Sequence, residues 1–423
     1  MKYFSTLAAI GLMSAPIPVA AADRLSPSEI MNVALRDNAS IKAARAKWEM
    51  MKARVPQAGA WEDLRAGVDS ATARFVSIPA NAFMDQTAML EQEVPLSGKN
   101  RSRARAATAE AGAAFEDLRR MELDVISGVR SAYARFANDY AQLEVNRRNQ
   151  ELLSQFVQIS RSRYEAGSAT QADVLLAQTD AAKLLETRAD IERQISEAQS
   201  ALNVLLNRPA QMPLGQPEPL VFTPRTLSLE KLQAITMLRR PELQRAQSQI
   251  DASRSRLELA HRQWFPDPAL NVKAQRYNAA AQAVSEVDVG IAFPLPWLNP
   301  KKYSAGVLEA RKSVESAQQE FDAARVEALG LVRDQLKKIQ TSAGQYELYR
   351  DQILPVARQT VEASRAAYEA NTGGFLELIT TRRTLQDAES AALNHLADYE
   401  AAVAELDAII GRTGPDIRGG YLK

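Results

Sequence analysis

Cysteine is absent from the 423 residues of this chain, and histidine occurs only twice, as His261 and His395. A chain without cysteine has no disulfide bonds, thiol nucleophile, thiolate metal site or lipid-modified N-terminal cysteine. The two histidines are not at the spacing of a metal-ligand pair. Glycine-rich phosphate loops and nucleophile motifs are missing too. We therefore predict a protein that is not an enzyme and that holds no metal and no cofactor.

An excess of charge of either sign is also missing. Lysine and arginine together number 52 against 51 aspartates and glutamates, which gives a formal net charge of +1. This balance excludes a strongly basic nucleic-acid-binding surface, and we expect no nucleic-acid partner. After the N-terminal residues there is no run of about 18 apolar residues, so the sequence predicts no transmembrane helix.

The N-terminal residues have the order of a secretory signal peptide. Lys2 precedes an apolar run from Phe4 to Met13, and small residues occupy Ala20–Ala22. A charged start, an apolar middle and a small-residue cleavage site define such a peptide. We predict that residues 1–22 are a signal peptide cleaved after Ala22 and that the mature chain is exported. A buried N-terminal helix is the alternative.

The chain repeats its own pattern at an offset of about 204 residues. Ser160–Ala166 returns as Ser364–Ala370, and Leu202–Arg208 returns as Leu406–Arg412. A repeat of this length indicates a duplicated half-molecule rather than a solenoid of short units. The predicted parts are a first repeat at 23–208, a proline-rich linker at 209–226, a second repeat at 227–411 and a tail at 412–423.

Each repeat contains a predicted strand pair, at about 61–94 in the first half and 264–294 in the second. A predicted helix leads into each pair, from Asp23 to Val55 and from Leu227 to Ala260. The clearest strand alternates apolar residues with charged and small ones, and its apolar members are Val287, Val289, Ile291 and Phe293. An alternation of period two predicts a strand with one apolar face. Such a face suits a barrel wall between lipid and a water-filled lumen, and it suits a half-buried sheet equally well.

Long helical hairpins fill the rest of each repeat, at about 100–208 and 301–411. From Arg101 to Ala166 there is no proline, and a helix of that length extends roughly 100 Å. Apolar residues recur at spacings of three and four, which is typical of a coiled-coil seam. Gly167 is predicted to end the first long helix, and Pro355 is predicted to kink the second.

The order of helix, strand pair, very long helix, tight turn and returning helix occurs twice and resembles a TolC-type outer-membrane efflux protein (outer membrane factor). The resemblance covers essentially the whole mature sequence. Three kinds of short stretch carry it: the tight turns Tyr164–Gly167 and Tyr368–Asn371, the Pro-Leu-Ser-Gly-Lys stretch Pro95–Lys99, and Ile353–Pro355. None of them is specific by itself, but their shared order and spacing are.

The resemblance implies a homotrimer in the cell outer membrane that extends through the periplasm. Three chains with four strands each would form one 12-stranded β-barrel, and the coiled-coil hairpins would continue it as a periplasmic tunnel. On this basis Val287, Val289, Ile291 and Phe293 are expected to face outer-membrane lipid. A periplasmic membrane-fusion (adaptor) protein and an inner-membrane efflux pump are the implied partners.

The resemblance also places the two hairpin turns at the periplasmic tips, where the channel closes and meets the adaptor. The tip residues are Tyr164, Gly167, Tyr368 and Asn371. An acidic residue nine positions after the tyrosine often lines the constriction in this family; here it is Glu377, and Asp173 is its first-half equivalent. For both acids, a charge that caps the start of the returning helix is the alternative. A basic residue that ties the closed tip in some members is replaced here by Gly373.

The function implied by the resemblance is passive conduction of a substrate out of the cell. The Pro-Leu-Ser-Gly-Lys stretch and the Ile-Leu-Pro stretch look more like the heavy-metal cation efflux branch than the protein-secretion branch, which favours heavy-metal cations as the substrate. Drug or protein (type I) export by a channel of the same fold is one alternative. A soluble periplasmic coiled-coil scaffold is the alternative from another class.

Overall fold

The computed structural model of the protein describes residues 24–70, 86–278 and 283–412. The predicted signal peptide and the predicted tail beyond Arg412 lie outside the described residues, as do residues 71–85 of the first predicted strand pair and 279–282 of the second. Within the described ranges, no helix is both long and apolar enough to cross a bilayer.

Each half of the chain contains the same series of elements. The first half has α1 (Pro27–Asp37), α2 (Ala39–Gly59), β1 (Arg65–Ser70), β2 (Gln86–Glu93), α3 (Lys99–Glu165) and α4 (Gln171–Leu205). The second half has α5 (Leu229–Arg239), α6 (Pro241–Arg262), β3 (Ala269–Asn278), β4 (Ala283–Ala292), α7 (Pro300–Leu348), α8 (Leu354–Glu369) and α9 (Phe375–Ile409). The predicted fold class, mainly α with a small β part and a duplicated half-molecule, is confirmed.

The helix that precedes each strand pair is divided in two, so the prediction of single helices from Asp23 and from Leu227 is wrong. Asn38 has extended backbone angles, and its side chain caps α2 by accepting hydrogen bonds from the N–H groups of Ser40 and Ile41. In the second half, Pro241 begins α6. A residue before proline is pushed out of the helical region, and Arg240 accordingly has ψ 120°.

The second long helix is interrupted by a π-helical turn, Tyr349–Ile353, between α7 and α8. This turn ends two residues before Pro355, the residue predicted to kink this helix. Proline has no N–H and its ring crowds the carbonyl four residues earlier, so the hydrogen-bond pattern of the preceding turn must change. The Tyr349 ring packs against His395 of α9, with 5.2 Å between the ring centroids.

One antiparallel sheet joins the two halves, in the order β1-β2-β3-β4. Its central pairing, β2 with β3, sets Leu90 opposite Val272. The strands are shorter than the predicted 61–94 and 264–294: β1 starts at Arg65, and β4 ends at Ala292, one residue before Phe293.

A buried carboxylate fastens the two halves where the sheet meets the helices. Asp267, just before β3, accepts hydrogen bonds from the Ser97 N–H at 2.7 Å and the Ser97 hydroxyl at 2.8 Å, and it pairs with the Lys99 ammonium at 3.0 Å. Gly98, between Ser97 and Lys99, has φ 75°, and a Cβ added to it would lie 2.6 Å from the Arg262 guanidinium. The Pro-Leu-Ser-Gly-Lys stretch therefore has a structural task in this chain.

The linker packs on both halves through tyrosine hydroxyls. Tyr133 of α3 donates to the Leu25 carbonyl at 2.9 Å, and its hydroxyl accepts from the Glu218 N–H at 2.8 Å. Tyr399 of α9 donates to the Thr223 carbonyl at 2.7 Å. Separate apolar clusters lie beneath these contacts, one built on α1, α3 and α4 and the other on α5, α7 and α9. The linker is thus part of the packed structure.

Candidate functional site

The two hairpin turns have the same backbone geometry. Gly167 has φ 75° and Asn371 has φ 61°. In the first turn the Ser168 N–H donates to the Arg163 carbonyl at 2.7 Å, and in the second the Thr372 N–H donates to the Ala367 carbonyl at 2.9 Å. This is the C-terminal turn that usually takes glycine, and asparagine tolerates the same left-handed angles.

The two tip tyrosines are not equivalent. Tyr164 is 46% exposed, whereas Tyr368 is 4% exposed and packs on Phe375, with ring centroids 5.3 Å apart. The Tyr368 hydroxyl has no hydrogen-bond partner among the described residues, and burial raises its pKa. Of the four residues predicted at the tips, Tyr164, Gly167 and Asn371 are therefore available to a partner, and Tyr368 belongs to the core of the tip.

Asp173 is engaged in capping α4. Its carboxylate accepts from the Thr170 N–H at 3.1 Å, and its own N–H donates to the Thr170 hydroxyl at 3.2 Å. This reciprocal pair is a capping box, which satisfies backbone donors that the first turn of a helix leaves open. The geometry matches the capping alternative for Asp173.

Glu377 lies in the first turn of α9 but caps nothing. The residue before this helix is Gly374, which has no side chain to form a cap. The Glu377 side chain is exposed and forms no hydrogen bond or ion pair with the described residues. Among the described residues, its charge is favoured by the N-terminal end of the helix dipole alone.

Arg163 is a tip residue that the sequence reasoning did not single out. Its guanidinium lies over the Tyr368 ring, 4.4 Å from the centroid, and donates hydrogen bonds to the Tyr368 carbonyl and the Asn371 side-chain oxygen. Arg163 thus joins the first hairpin to the second at the tip. A signal for it was present, because the repeat has Ala367 at the equivalent position, while the nearby Arg161 and Tyr164 are kept.

A second link between the hairpins lies deeper, where α4 approaches α9. Asp180 of α4 pairs with Arg382 of α9 at 3.2 Å and also accepts hydrogen bonds from Arg383. Burial raises the pKa of Asp180, but the two guanidinium groups outweigh it, and the net shift is downward. Arg382 is 2% exposed and also donates to Gln386 at 3.0 Å. We call Asp180, Arg382 and Arg383 the Asp180 clamp.

One face of the sheet is apolar across all four strands. Register places Val68, Leu90, Val272 and Val289 in one row across the sheet or diagonally adjacent to it. The members of this face are exposed: Val68, Leu90, Leu270, Val272, Val287, Val289 and Ile291. In β4, Val287, Val289 and Ile291 are 70%, 75% and 64% exposed. No described element covers this face, and Phe293 continues it beyond the strand.

The other face of the sheet is charged. Arg65 pairs with Glu91 at 3.3 Å across β1 and β2, and Lys273 lies opposite Asp288 across β3 and β4. Asp288 accepts a hydrogen bond from Gln275 at 2.9 Å. The sheet thus has one exposed apolar face and one charged face.

Comparison with known proteins finds one family over most of the chain. The model of the outer membrane efflux protein family matches residues 30–208 and 235–412. The toluene efflux pump outer membrane protein TtgF of Pseudomonas putida is 24% identical over 319 residues, which are 73% of this chain and 65% of that protein. The chain thus aligns with just under two thirds of that relative's length. The cobalt-zinc-cadmium resistance protein CzcC of Cupriavidus metallidurans is 23% identical over 344 residues, 77% of each chain.

Among solved structures, the outer-membrane channel OprN has a similar fold. It superposes with a TM-score of 0.79 at 17% sequence identity and covers 92% of this chain and 90% of its own. The duplicated family match, the relatives and this fold confirm the predicted TolC-type architecture and outer-membrane location. The chain belongs to the outer membrane efflux protein family.

Proposed function

We propose that this chain forms the outer-membrane conduit of a tripartite efflux system, through which substrate passes passively to the exterior. The observation that carries the proposal is the two-faced sheet. An exposed apolar face of this extent is unfavourable in water, whereas the lipid of a bilayer would cover it. The soluble-scaffold alternative gives no reason for it.

The free edges of the sheet support a homotrimer. β1 and β4 are its outer strands, and an unpaired strand edge is a template for pairing with another chain. If β4 of one copy pairs with β1 of the next, three copies of the four-stranded sheet close a 12-stranded barrel. Val287, Val289 and Ile291 then face lipid, and Phe293 meets the periplasmic boundary of the bilayer.

The hairpins extend this barrel into the periplasm. α3 has 67 residues, which is about 100 Å of helix. At its tip, the exposed Tyr164, Gly167 and Asn371 are the residues we assign to adaptor docking. An inner-membrane pump supplies the energy, and a signal peptide cleaved after Ala22 directs the chain through the inner membrane.

We assign the constriction to Glu377, and we assign the closed state of the tip to Arg163. Three copies of a free carboxylate in a narrow pore attract cations and repel anions. Asp173 contributes less to this ring, because its carboxylate is engaged in the capping box. Arg163 takes the part of the basic residue that is missing at Gly373, since it reaches the same turn from the other hairpin.

Heavy-metal cations are the substrate class we favour. The acidic Glu377 supports this choice, and one relative is described as a cobalt-zinc-cadmium resistance protein. The Pro-Leu-Ser-Gly-Lys stretch is weak support for heavy-metal cations, because its contacts with Asp267 give it a structural role in joining the two halves. Drug export is the second candidate, since another relative is described as a toluene efflux pump component.

Location and conduction are tested first. Expressed in a Gram-negative host, the protein should sediment with the outer membrane, and the purified trimer should conduct KCl in planar bilayers. A protein that remains in the soluble periplasmic fraction contradicts the channel.

The constriction is tested with Glu377→Gln and a trivalent cobalt hexammine blocker. Removing three carboxylates should raise the concentration for half-block severalfold, because the blocker loses its electrostatic attraction. Glu362→Gln, at an exposed position of α8, is the matched control and should leave block unchanged. Equal block of wild type and Glu377→Gln removes Glu377 from the constriction.

A further inference from the structure

The contacts between the two hairpins are unevenly distributed among their helices. α3 packs along both α4 and α9, whereas α4 and α9 meet only over a short stretch. The Asp180 clamp lies within this stretch. Asp180 is nine residues into α4, which is about 14 Å along the helix from its first residue. The clamp therefore joins the returning helices well above the tip turns.

Apolar residues flank Asp180 along α4, while Arg382 also contacts the polar side chains of Gln386 and Asn149. Ala177 lies one turn below Asp180 and Leu184 one turn above it, and both belong to a buried cluster with Leu378 and Ile379 of α9. Buried charges in such surroundings are stable only while they are paired. Separating α4 from α9 at this level would remove the partner of each charge and would also expose the apolar cluster.

The contacts at the tip are of a different kind. Arg163 binds a backbone carbonyl and the side-chain amide of the exposed Asn371, both neutral acceptors. Water can replace such acceptors when the contact opens, so the net cost is small. At the level of the Asp180 clamp the connection between the hairpins therefore includes a buried ion pair, whereas the hydrogen bonds at the tip go to neutral acceptors.

We propose that the Asp180 clamp is a fixed joint between the two hairpins, and that the periplasmic tip opens only below it. This inference rests on the proposed function, in which the tip is the closed end of a channel. Opening releases Arg163 from the second turn, while α4 and α9 stay joined at Asp180. The moving part is then the last few turns of each hairpin, and the tunnel above the clamp keeps one diameter.

The absence of cysteine from the chain allows a direct test by cross-linking. Thr187 of α4 and Ser390 of α9 line one small polar groove just above the clamp, with a volume of about 190 Å³. Cysteines at these two positions, joined by a short bis-maleimide, fix α4 to α9 and leave the clamp intact. The pair is introduced into an Arg163→Ala background, whose KCl conductance should be severalfold above that of wild type.

Linking Thr187→Cys to Ser390→Cys should leave this raised conductance unchanged. The matched pair is Arg163→Cys with Asn371→Cys, which should conduct more than wild type before linking and no more than wild type after it. A return to the wild-type level on linking the groove pair overturns the fixed joint. No current from wild type or from any variant instead contradicts the proposed channel.

Hydrogen exchange of the purified trimer gives a second readout that needs no current. In Arg163→Ala, amides near the turns, at 163–173 and 366–376, should exchange severalfold faster than in wild type. Amides around the clamp, at 176–184 and 378–386, should keep the wild-type rate, because local opening does not reach them. Faster exchange in the clamp segments as well overturns the proposal.

Discussion

The two hairpin tips have the same backbone geometry but differ in what most of their side chains contact. Each has a left-handed residue at the turn, and α4 and α9 have the same length of 35 residues. Yet the first tip has an exposed Tyr164 and a capping box, while the second has a buried Tyr368 and no side-chain cap. The duplication therefore preserves geometry and leaves the side chains free to diverge.

The divergence is concentrated where one half contacts the other. Arg163 is matched by Ala367 in the second repeat, and Asp180 is matched by Thr384. The first hairpin supplies one arginine at the tip and one acid at the clamp, and the second supplies the partners of both. Neither link is repeated by the equivalent residues of the opposite halves.

The largest expected effect comes from breaking the deeper link. Asp180→Asn leaves the buried Arg382 without its counter-charge, which should lower the free energy of unfolding by about 3–5 kcal/mol. Chemical denaturation of the trimer followed by circular dichroism measures it. Glu192→Gln is the control, since it breaks only the exposed pair with Arg188 on the same helix. A similar loss in both variants contradicts the clamp.

The stability of wild type and that of Asp180→Asn should also respond differently to acid. The folded-state pKa of Asp180 is below its ordinary value. A carboxyl of this kind adds stability above its unfolded pKa of about 3.9, and this stability is lost as the pH falls through the lowered folded value. The stability gap between wild type and Asp180→Asn should be full at pH 7 and should narrow below about pH 4. A gap that stays constant down to pH 2 contradicts the assignment.

A smaller effect is expected from removing the cap of the first tip. Thr170→Ala breaks the capping box with Asp173 and should cost about 1 kcal/mol. Thr179→Ala is the control, because that hydroxyl lies in the interior of α4 and bonds only to the Leu175 carbonyl. Thermal unfolding compares the two, and an equal loss of stability would show that the cap contributes nothing of its own.

The smallest effect should come from giving the second tip the cap it lacks. Gly374 has φ −85° and ψ 147°, and a Cβ added there meets no atom within 4 Å. Gly374→Ser should therefore stabilise the protein by a few tenths of a kcal/mol. Gly373→Ser is the control, since its Cβ would lie 3.0 Å from the Ala367 side chain. If both serines destabilise equally, the difference between the tips is not one of capping.

The sequence predicted the features that depend on local pattern. The alternation in β4 and the matching turns at Gly167 and Asn371 follow from residue type and spacing, and the structure has them. The breaks at Asn38 and Arg240 were missed, because apolar spacing continued across both positions. The cap formed by Asn38 and the backbone restriction imposed by Pro241 outweighed the apolar spacing.

The links between the hairpins could not be predicted in the same way. Asp180 and Arg382 are 202 residues apart, and their pairing depends on how far one hairpin is shifted along the other. That shift is set by the packing of α3 against α4 and α9, which leaves no trace in local spacing. For Asp173, a charge that caps the helix start was one of two open interpretations, and the capping geometry at Thr170 is visible only in the structure.

The pairing of β2 with β3 has a consequence for how the chain reaches its native state. Glu93 ends β2 and its partner Ala269 begins β3, so about two thirds of the 423 residues must emerge before a third strand can join the sheet. A two-stranded hairpin is marginally stable by itself, and contacts of such long range form slowly. The first repeat can form its coiled coil while the second repeat is still being exported, but β1 and β2 remain without the partner strand β3. During that interval their unpaired edges and apolar face are exposed to aggregation.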